Sequence, residues 1–342
     1  MAVAKIAAHA ARSVQRHDLW TRTSTVLDNT SCAATSNQGP PDLPMVSKLS
    51  DRVWRVLGRN PSDFSLTGTN MYLVGTGKKR ILIDAGEGRP GVLEDLLEVL
   101  KAEGCEGLLQ IIITHWHHDH LLGLPSILQH FGDVLVRKYV PKAGTAACER
   151  GPTRQGGVFD PVDFMKNVHI NALQDGEIIQ CEGAHLEVLY TPGHANDHVC
   201  LFLKEEQALF TGDNVLGWGT GVFVDLQTYL ASLRRMRDSH PIKLYPAHGP
   251  VVGAGEAGSW LQMYISHREK RIEQVVAALE ASGRGKAAAV EEVVRLVYQD
   301  DPRVFNNDVL FAAARQNTLL VLQYLQKEGQ CIGDASGFTL TR

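Results

Sequence analysis

Four side chains able to ligate a metal fall within six residues: His115, His117, Asp119 and His120, in the stretch Thr114-His115-Trp116-His117-His118-Asp119-His120. A regular helix would spread them around its circumference, and a strand would alternate them between two faces. A tight turn at a strand end can aim all four into one volume. The residues just before, Ile111-Ile112-Ile113, have the β-branched apolar character of a buried strand. Imidazole nitrogens and carboxylate oxygens are the donors that Zn²⁺ or iron takes where positions must stay open for water and substrate. A lone histidine is usually satisfied separately in a core or at a surface. Four ligands at this spacing after a strand read as a metal site.

Three more candidate ligands repeat one local pattern, an apolar strand followed by a small or cyclic residue and then the ligand. Leu186-Glu187-Val188-Leu189-Tyr190 leads to Thr191-Pro192-Gly193-His194, Ala208-Leu209-Phe210 to Thr211-Gly212-Asp213, and Ile242-Lys243-Leu244-Tyr245 to Pro246-Ala247-His248. Seven ligands exceed one tetrahedral ion and suit two that share a carboxylate. We assign His115, His117 and His194 to one metal, Asp119, His120 and His248 to the other, and Asp213 to the bridge. Two metals ~3.5–4 Å apart can hold one hydroxide, lower its pKa and polarise a carbonyl or phosphoryl oxygen. Asp119 and Asp213 are therefore catalytic candidates as well as ligands.

His198 is a third catalytic candidate, because an imidazole that titrates near neutral pH can give a proton to a leaving group; a role supporting the ligands from behind or packing in the core is its alternative. Asp84, at the end of Arg80-Ile81-Leu82-Ile83, is placed to orient the ligand loop by hydrogen bonds, with a helix cap or turn acid as the alternative. His118 reads as structural or exposed, and His267 as a packing or capping residue on a helix.

These ligands require strands to present them. Candidate strands are Val53-Trp54-Arg55-Val56-Leu57, Thr69-Asn70-Met71-Tyr72-Leu73-Val74 and the stretch ending at Asp84, the last two joined by Gly75-Thr76-Gly77-Lys78 as a hairpin. That turn is no phosphate cradle, since no helix N-terminus follows it. Residues 91–103 carry apolar side chains at helical spacing and lead into the strand before the ligand loop. Strand, helix, strand and ligand loop describe an α/β layer with its chemistry at a sheet edge.

The set H-x-H-x-D-H at 115–120 with His194, Asp213, His248 and Asp84 resembles the metallo-β-lactamase fold superfamily through residues 46–262. Within it the chain is most similar to β-lactamase-like protein 2 and its microbial relatives. The residues that carry this are Gly68-Thr69-Asn70-Met71-Tyr72-Leu73-Val74-Gly75-Thr76-Gly77, Thr191-Pro192-Gly193-His194-Ala195-Asn196-Asp197-His198, Gly212-Asp213-Asn214-Val215-Leu216-Gly217 and Tyr264-Ile265-Ser266-His267-Arg268. The resemblance implies an αββα sandwich, a dizinc site at one sheet edge and a winged-helix-like C-terminal domain. The sequence departs from the usual pattern at Leu121-Leu122-Gly123 and at Ala247, changes that remove no ligand and are expected to narrow or reshape the mouth of the site. Residues 143–166 read as an enlarged loop bearing on specificity.

The bulk composition is ordinary for a globular chain: 342 residues, 44% hydrophobic, 21% charged and a net charge of −4. A dedicated nucleic-acid binder would be clearly basic. The six cysteines form no C-x-x-C pair and fit reduced thiols. No apolar run approaches the ~18–20 residues of a membrane span, so a soluble protein is expected. Residues 1–45 read as a disordered extension: the first 17 hold Lys5, Arg12 and Arg16, six alanines and no acid, as an organelle transit peptide does. Delivery to the mitochondrial matrix is expected, with plastid or cytoplasmic residence as alternatives.

Residues 263–342 show helical patterns at about 264–282, 289–299 and 307–327 and a terminal hairpin. Their ten basic and ten acidic side chains favour a packing or homodimer-forming role over a grip on nucleic acid. A local basic run, Arg137, Lys138, Lys142, Arg150 and Arg154 against Glu149, is the candidate substrate-binding patch for phosphates.

The resemblance implies an endoribonuclease that cuts single-stranded RNA. Fungal polyketide-associated thioesterases share the same ligands and equally resemble Asp84-Ala85-Gly86-Glu87-Gly88 and residues 212–217, so the alternative substrate is an acyl carrier protein thioester. A non-catalytic RNA-binding protein is a third reading, weakened by the presence of all seven ligands.

Overall fold

Side-chain alternation along the strands divides the apolar residues between three packed layers, and these layers fix where the ligand loops emerge. The computed structural model describes residues 39–141, 151–152, 158–166, 168–283, 285–334 and 336–341. The transit-peptide and linker readings fall outside these residues as far as residue 38, as do Lys142, Arg150, Arg154, Cys32 and Cys148.

The first half begins with β1 (Val46–Lys48), β2 (Val53–Leu57), β3 (Asn70–Val74) and β4 (Lys79–Ile83), an antiparallel meander in which the expected glycine-rich turn joins β3 to β4. Then follow α1 (Val92–Ala102), β5 (Gly107–Ile113), α2 (His118–Leu121), α3 (Leu124–Phe131), β6 (Leu135–Tyr139), the small pair β7 (Gly151–Pro152) and β8 (Val158–Phe159), α4 (Pro161–Met165) and β9 (Ile170–Leu173). The seven-stranded sheet has the order β1-β2-β3-β4-β5-β6-β9, and β4, β5, β6 and β9 are parallel.

A second sheet, in the order β10-β11-β12-β13-β14, comprises β10 (Ile178–Cys181), β11 (Ala184–Tyr190), β12 (Val199–Leu203), β13 (Ala208–Gly212) and β14 (Lys243–Pro246), with α5 (Leu226–Asp238) crossing between the last two. Only β13 and β14 pair in parallel, as that crossover demands.

Period-2 alternation assembles the sandwich. Ile81 and Ile83 of β4 and Ile112 of β5 point towards the second sheet and meet Leu186, Val188, Leu201, Leu203 and Phe210 in one buried cluster. Their neighbours Leu82, Ile111 and Ile113 point the other way, onto Leu96, Val99 and Leu100 of α1 and Leu124 and Ile127 of α3. On the far side, Leu189, Cys200, Leu209 and Leu244 pack under α5 and the C-terminal helices. Helices, sheet, sheet and helices therefore stack as αββα.

The C-terminal region is helical, with α6 (Ala257–Ala281), α7 (Val290–Val297), α8 (Pro302–Phe305), α9 (Asp308–Lys327) and the hairpin β15 (Cys331–Asp334) and β16 (Gly337–Leu340). Helix α6 starts earlier than the expected 264, because Ala257 and Leu261 are buried against the sheet's outer face and extend the apolar stripe backwards. The Asp301-Pro302 break carries a short helix of its own, with Asp301 capping the Arg303 N–H. One continuous apolar cluster joins Leu209 and Leu244 of the sheet to Val293, Leu322, Leu325 and Phe338. Phe338 also exchanges both backbone hydrogen bonds with Ala288 and so fastens the hairpin beside α7. Among the described residues no helix is long and apolar enough to cross a membrane, and Cys105, Cys181, Cys200 and Cys331 are free thiols.

Candidate metal centre

Strands β5, β11, β13 and β14 end at the same edge of the sandwich, and each delivers ligands there. His115 and His117 follow β5, and Asp119 and His120 lie in the single turn of α2. His194, Asp213 and His248 follow β11, β13 and β14. Close packing explains the glycines before two of them. A Cβ on Gly193 would lie 2.4 Å from Tyr229 Cα, and a Cβ on Gly212, whose φ is +52°, would lie 2.4 Å from His198 Nε2.

The donor atoms fall into two groups, His115, His117, His194 and Asp213 in one and Asp119, His120 and His248 in the other, each lying within 4.8 Å of one another. His115 Nε2 and His194 Nε2 both lie 2.9 Å from His117 Nδ1. Asp213 stands between the groups, with Oδ2 3.8 Å from His115 Nε2 and 3.6 Å from His194 Nε2. Its other oxygen, Oδ1, lies 3.5 Å from His120 Nε2 and 3.2 Å from His248 Nε2. Asp119 Oδ2 faces His248 Nε2 at 3.3 Å and His120 Nε2 at 3.5 Å. The structure thus brings all seven predicted ligands together in the predicted grouping.

Hydrogen bonds on the far side of each ring decide which nitrogen carries the proton. His120 Nδ1–H donates to Asp84 Oδ2 at 2.8 Å, and His194 Nδ1–H donates to Val222 O at 2.8 Å. Thr114 gives its hydroxyl proton to Asp84, so His115 Nδ1–H donates to Thr114 Oγ1 at 3.0 Å. Each Nε2 then turns a lone pair inwards. Three such nitrogens at 2.9 Å cannot all be hydrogen-bonded to one another, since His117 Nδ1 could donate to only one. Among the described residues His120 Nε2 and Asp213 Oδ1 are buried without a hydrogen-bond partner. Converging lone pairs and orphaned buried acceptors fit shared divalent cations with N/O ligands.

The electrostatics agree. Burial, reinforced by neighbouring imidazoles, holds His115 and His117 well below the usual histidine range, and burial lowers His194. Burial alone would raise the Asp213 and Asp119 carboxyls, yet the facing His248 and His120 hold both well below the carboxylate range. Burial would lower His248, but Asp213 and Asp119 push it up to about 10. The pocket keeps two carboxylates ionised out of water, a state that needs cations nearby.

Asp84 is buried and accepts from Thr114 N–H at 2.8 Å as well as from His120, so it orients the ligand loop rather than capping a helix. His198 is fully buried. Its Nε2 accepts the Asp213 backbone N–H at 3.1 Å, and its Nδ1 lies 3.1 Å from Thr191 Oγ1. Both nitrogens are engaged inside the protein, and burial holds the ring well below the usual range. His198 therefore positions the Asp213 turn, the alternative weighed against proton donation. His118 is half-buried, 3.6 Å from Glu87.

The basic run departs from expectation. Lys138 points inwards from β6 and forms a buried ion pair with Asp197, three residues after His194 and adjacent to His198. Arg137 pairs with Glu177 at 2.7 Å. Two of the five proposed phosphate contacts are thus paired with carboxylates of the protein, Lys138 in the interior and Arg137 half-buried, because β6 lies between β5 and β9. The other three lie outside the described residues. Nor do the departures in the ligand loop open onto the mouth of the site: Leu121 is buried in the cluster under α1 and α3 with Leu122 packed against it, and Ala247 is buried.

Two positioning residues escaped the sequence reading. Thr69 Oγ1–H donates to Asp119 Oδ2 at 2.9 Å while accepting from Asn60 Nδ2 at 3.0 Å. Asn70 Nδ2 donates to both Pro246 O and Gly249 O, bracketing His248. The available signal was a Thr-Asn pair entering an otherwise apolar strand.

The family model of the metallo-beta-lactamase superfamily matches residues 65–248. An atrochrysone carboxyl ACP thioesterase of Aspergillus chevalieri is 41% identical over 267 residues, 77% of this chain and 78% of that protein. A beta-lactamase-like protein 2 homolog of Caenorhabditis elegans is 37% identical over 286 residues, 83% of this chain and 87% of that protein. The crystal structure of a beta-lactamase domain protein from Burkholderia ambifaria shares the fold, with a TM-score of 0.66 at 18% identity over 89% of this chain and 98% of that one.

Proposed function

Because the chain belongs to the metallo-β-lactamase superfamily, we propose that it is a dizinc hydrolase that cuts single-stranded RNA. The hydrolytic part is carried by one observation, two ligand groups that share the Asp213 carboxylate at a sheet edge. The RNA part is supported by similarity to the beta-lactamase-like protein 2 homolog, which extends over a wider share of both chains than the similarity to the thioesterase.

His115, His117, His194 and Asp213 would hold one zinc, and Asp119, His120, His248 and Asp213 the other. When bound, such a pair lowers the pKa of a water and polarises a phosphoryl oxygen. The protein's own contribution is orientation. Asp84 and Thr114 fix the tautomers of His120 and His115, and the Val222 carbonyl fixes His194. His198 holds the Asp213 backbone, and Thr69 ties one oxygen of Asp119. Asp119, kept ionised by His120 and His248, is placed to take the proton released by the attacking water.

A second reading is favoured by the identity to the thioesterase and by the internal pairing of Arg137 and Lys138. It keeps the centre and puts the thioester of an acyl carrier protein in place of the phosphodiester. Full-length protein of verified zinc content, given labelled single-stranded RNA and, separately, an acyl-pantetheine thioester, distinguishes the two. Zinc-dependent RNA cutting that His115→Ala and Asp213→Ala both abolish is the expected result. Intact RNA with rapid thioester cleavage would move the enzyme to acyl chemistry.

A further inference from the structure

A cleft of about 510 Å³ lies between α6 and residues 297–303, away from the ligand loops. His267, Lys270, Arg271 and Gln274 form its α6 wall, at the i, i+3, i+4 and i+7 spacing that keeps side chains on one helix face. Tyr298, Asp300, Asp301 and Arg303 face them. Asp301 is already neutralised by Arg303, which reaches it at 2.6 and 2.8 Å. Lys270 and Arg271 have no carboxylate partner among the described residues, and Asp300 is the one acid of the wall left unengaged there. The Arg271 guanidinium lies 4.3 Å from the Tyr298 ring centre. A guanidinium held on an aromatic face is pre-ordered, and its N–H edge remains available to an anion.

The α6 helix also reaches the metal centre. Arg268, next to His267, is buried and donates to Gly221 O at 2.8 Å, with its guanidinium 4.9 Å from the Phe223 ring. The residue between, Val222, accepts the His194 hydrogen bond. The cleft's cations and the ligand His194 are thus joined by one helix turn, one arginine and one loop.

We propose that this cleft, away from the reacting bond, anchors a backbone phosphate of single-stranded RNA, with Lys270 and Arg271 as the contacts; this rests on the nuclease reading above. A single strand is held largely through phosphates outside the reacting bond, by cations and aromatic faces together. The neutral charge balance of the C-terminal region conceals the site, because Asp301 is spent on Arg303 and Asp300 is the one other acid in the wall facing the cations.

The test measures binding of a labelled single-stranded RNA to full-length protein by fluorescence anisotropy in EDTA, across a salt series. Lys270→Ala with Arg271→Ala is compared with Lys79→Ala with Lys101→Ala, which removes the same charge from exposed positions at the start of β4 and in the last turn of α1. Lys270→Gln with Arg271→Gln keeps the aliphatic packing should the alanine pair lower the melting temperature. Expected is a several-fold rise in Kd for the cleft pairs only, with the slope of log Kd on log salt falling by about 0.7 per lost phosphate contact. The KM for RNA cutting should rise with it. Metal-dependent cutting with wild-type Kd in the cleft variants would overturn the anchor and leave the nuclease standing. Absence of both cutting and RNA binding would overturn both. Coenzyme A binding that the cleft variants lose, without RNA binding, would replace the RNA by a phosphopantetheine arm.

Discussion

Replacing Asp84 by asparagine isolates the hydrogen bonds that orient the ligand loop. The backbone at Asp84 has φ +60°, a left-handed conformation that asparagine tolerates, so the substitution adds no backbone strain. Asp84 accepts from Thr114 N–H at 2.8 Å on Oδ1 and from His120 Nδ1–H at 2.8 Å on Oδ2. An amide has one acceptor oxygen and sets its NH₂ against the other donor. One buried donor is therefore orphaned, a cost of about 1–3 kcal/mol. If the oxygen serves Thr114, His120 is pressed towards the wrong tautomer and its Nε2 lone pair is lost to the metal. Losing such an orienting partner typically weakens metal affinity about 10–100-fold. Zinc titration against a competing chelator, with metal content measured after dialysis, reads this directly. A variant that binds two zinc ions as tightly as the parent would refute the orienting role, and with it the tautomer argument for His120.

Thr69→Val removes the hydroxyl that donates to Asp119 and accepts from Asn60, so hydrolysis should slow by about tenfold if the bond to Asp119 is worth roughly 1.4 kcal/mol in the transition state; an unchanged kcat would remove Thr69 from the machinery. His198→Ala leaves the Asp213 N–H without its acceptor and should destabilise the fold by about 1–3 kcal/mol in denaturant titration, and the pH–rate profile of the residual activity should keep the parent's limbs, because His198 moves no proton. Gly212→Ala should fail to fold or melt far lower, since its Cβ would press on His198 at 2.4 Å with φ at +52°. In zinc-free protein the His248 pKa, raised to about 10 from an ordinary 6.5, contributes stability that is fully present below pH 6.5 and lost as pH rises through 10. Zinc needs neutral imidazole, so the melting temperature in EDTA should fall between pH 7 and 10 while the increment added by zinc grows; a flat or rising melting temperature in EDTA would contradict the pairing of His248 with Asp213 and Asp119.

The basic run shows where reading along the chain stops being informative. Arg137 and Lys138 are adjacent cations, and nothing local says that Glu177 and Asp197 wait for them across β9 and the His194 loop. The Lys270–Arg271 pair looked unremarkable for the opposite reason. Its region sums to neutral, and only folding assigns Asp301 to Arg303 and leaves the other cations facing a cleft. His198 is a similar case: its chemistry permits proton transfer, whereas its place behind Asp213 does not.

The sequence by itself determined the ligand set, the strand-then-ligand rhythm and an α/β layer with its chemistry at a sheet edge, because each depends on residue type and short-range periodicity. Ligand chemistry is written in His and Asp at strand ends, and two-residue alternation states which faces are buried. Only the tertiary structure decided that the two sheets meet face to face through one buried cluster, that Thr69 and Asn60 support Asp119, and which charges are spent on one another. Those are contacts between residues far apart in the chain, and their energies depend on distance and burial, which no spacing along one strand contains.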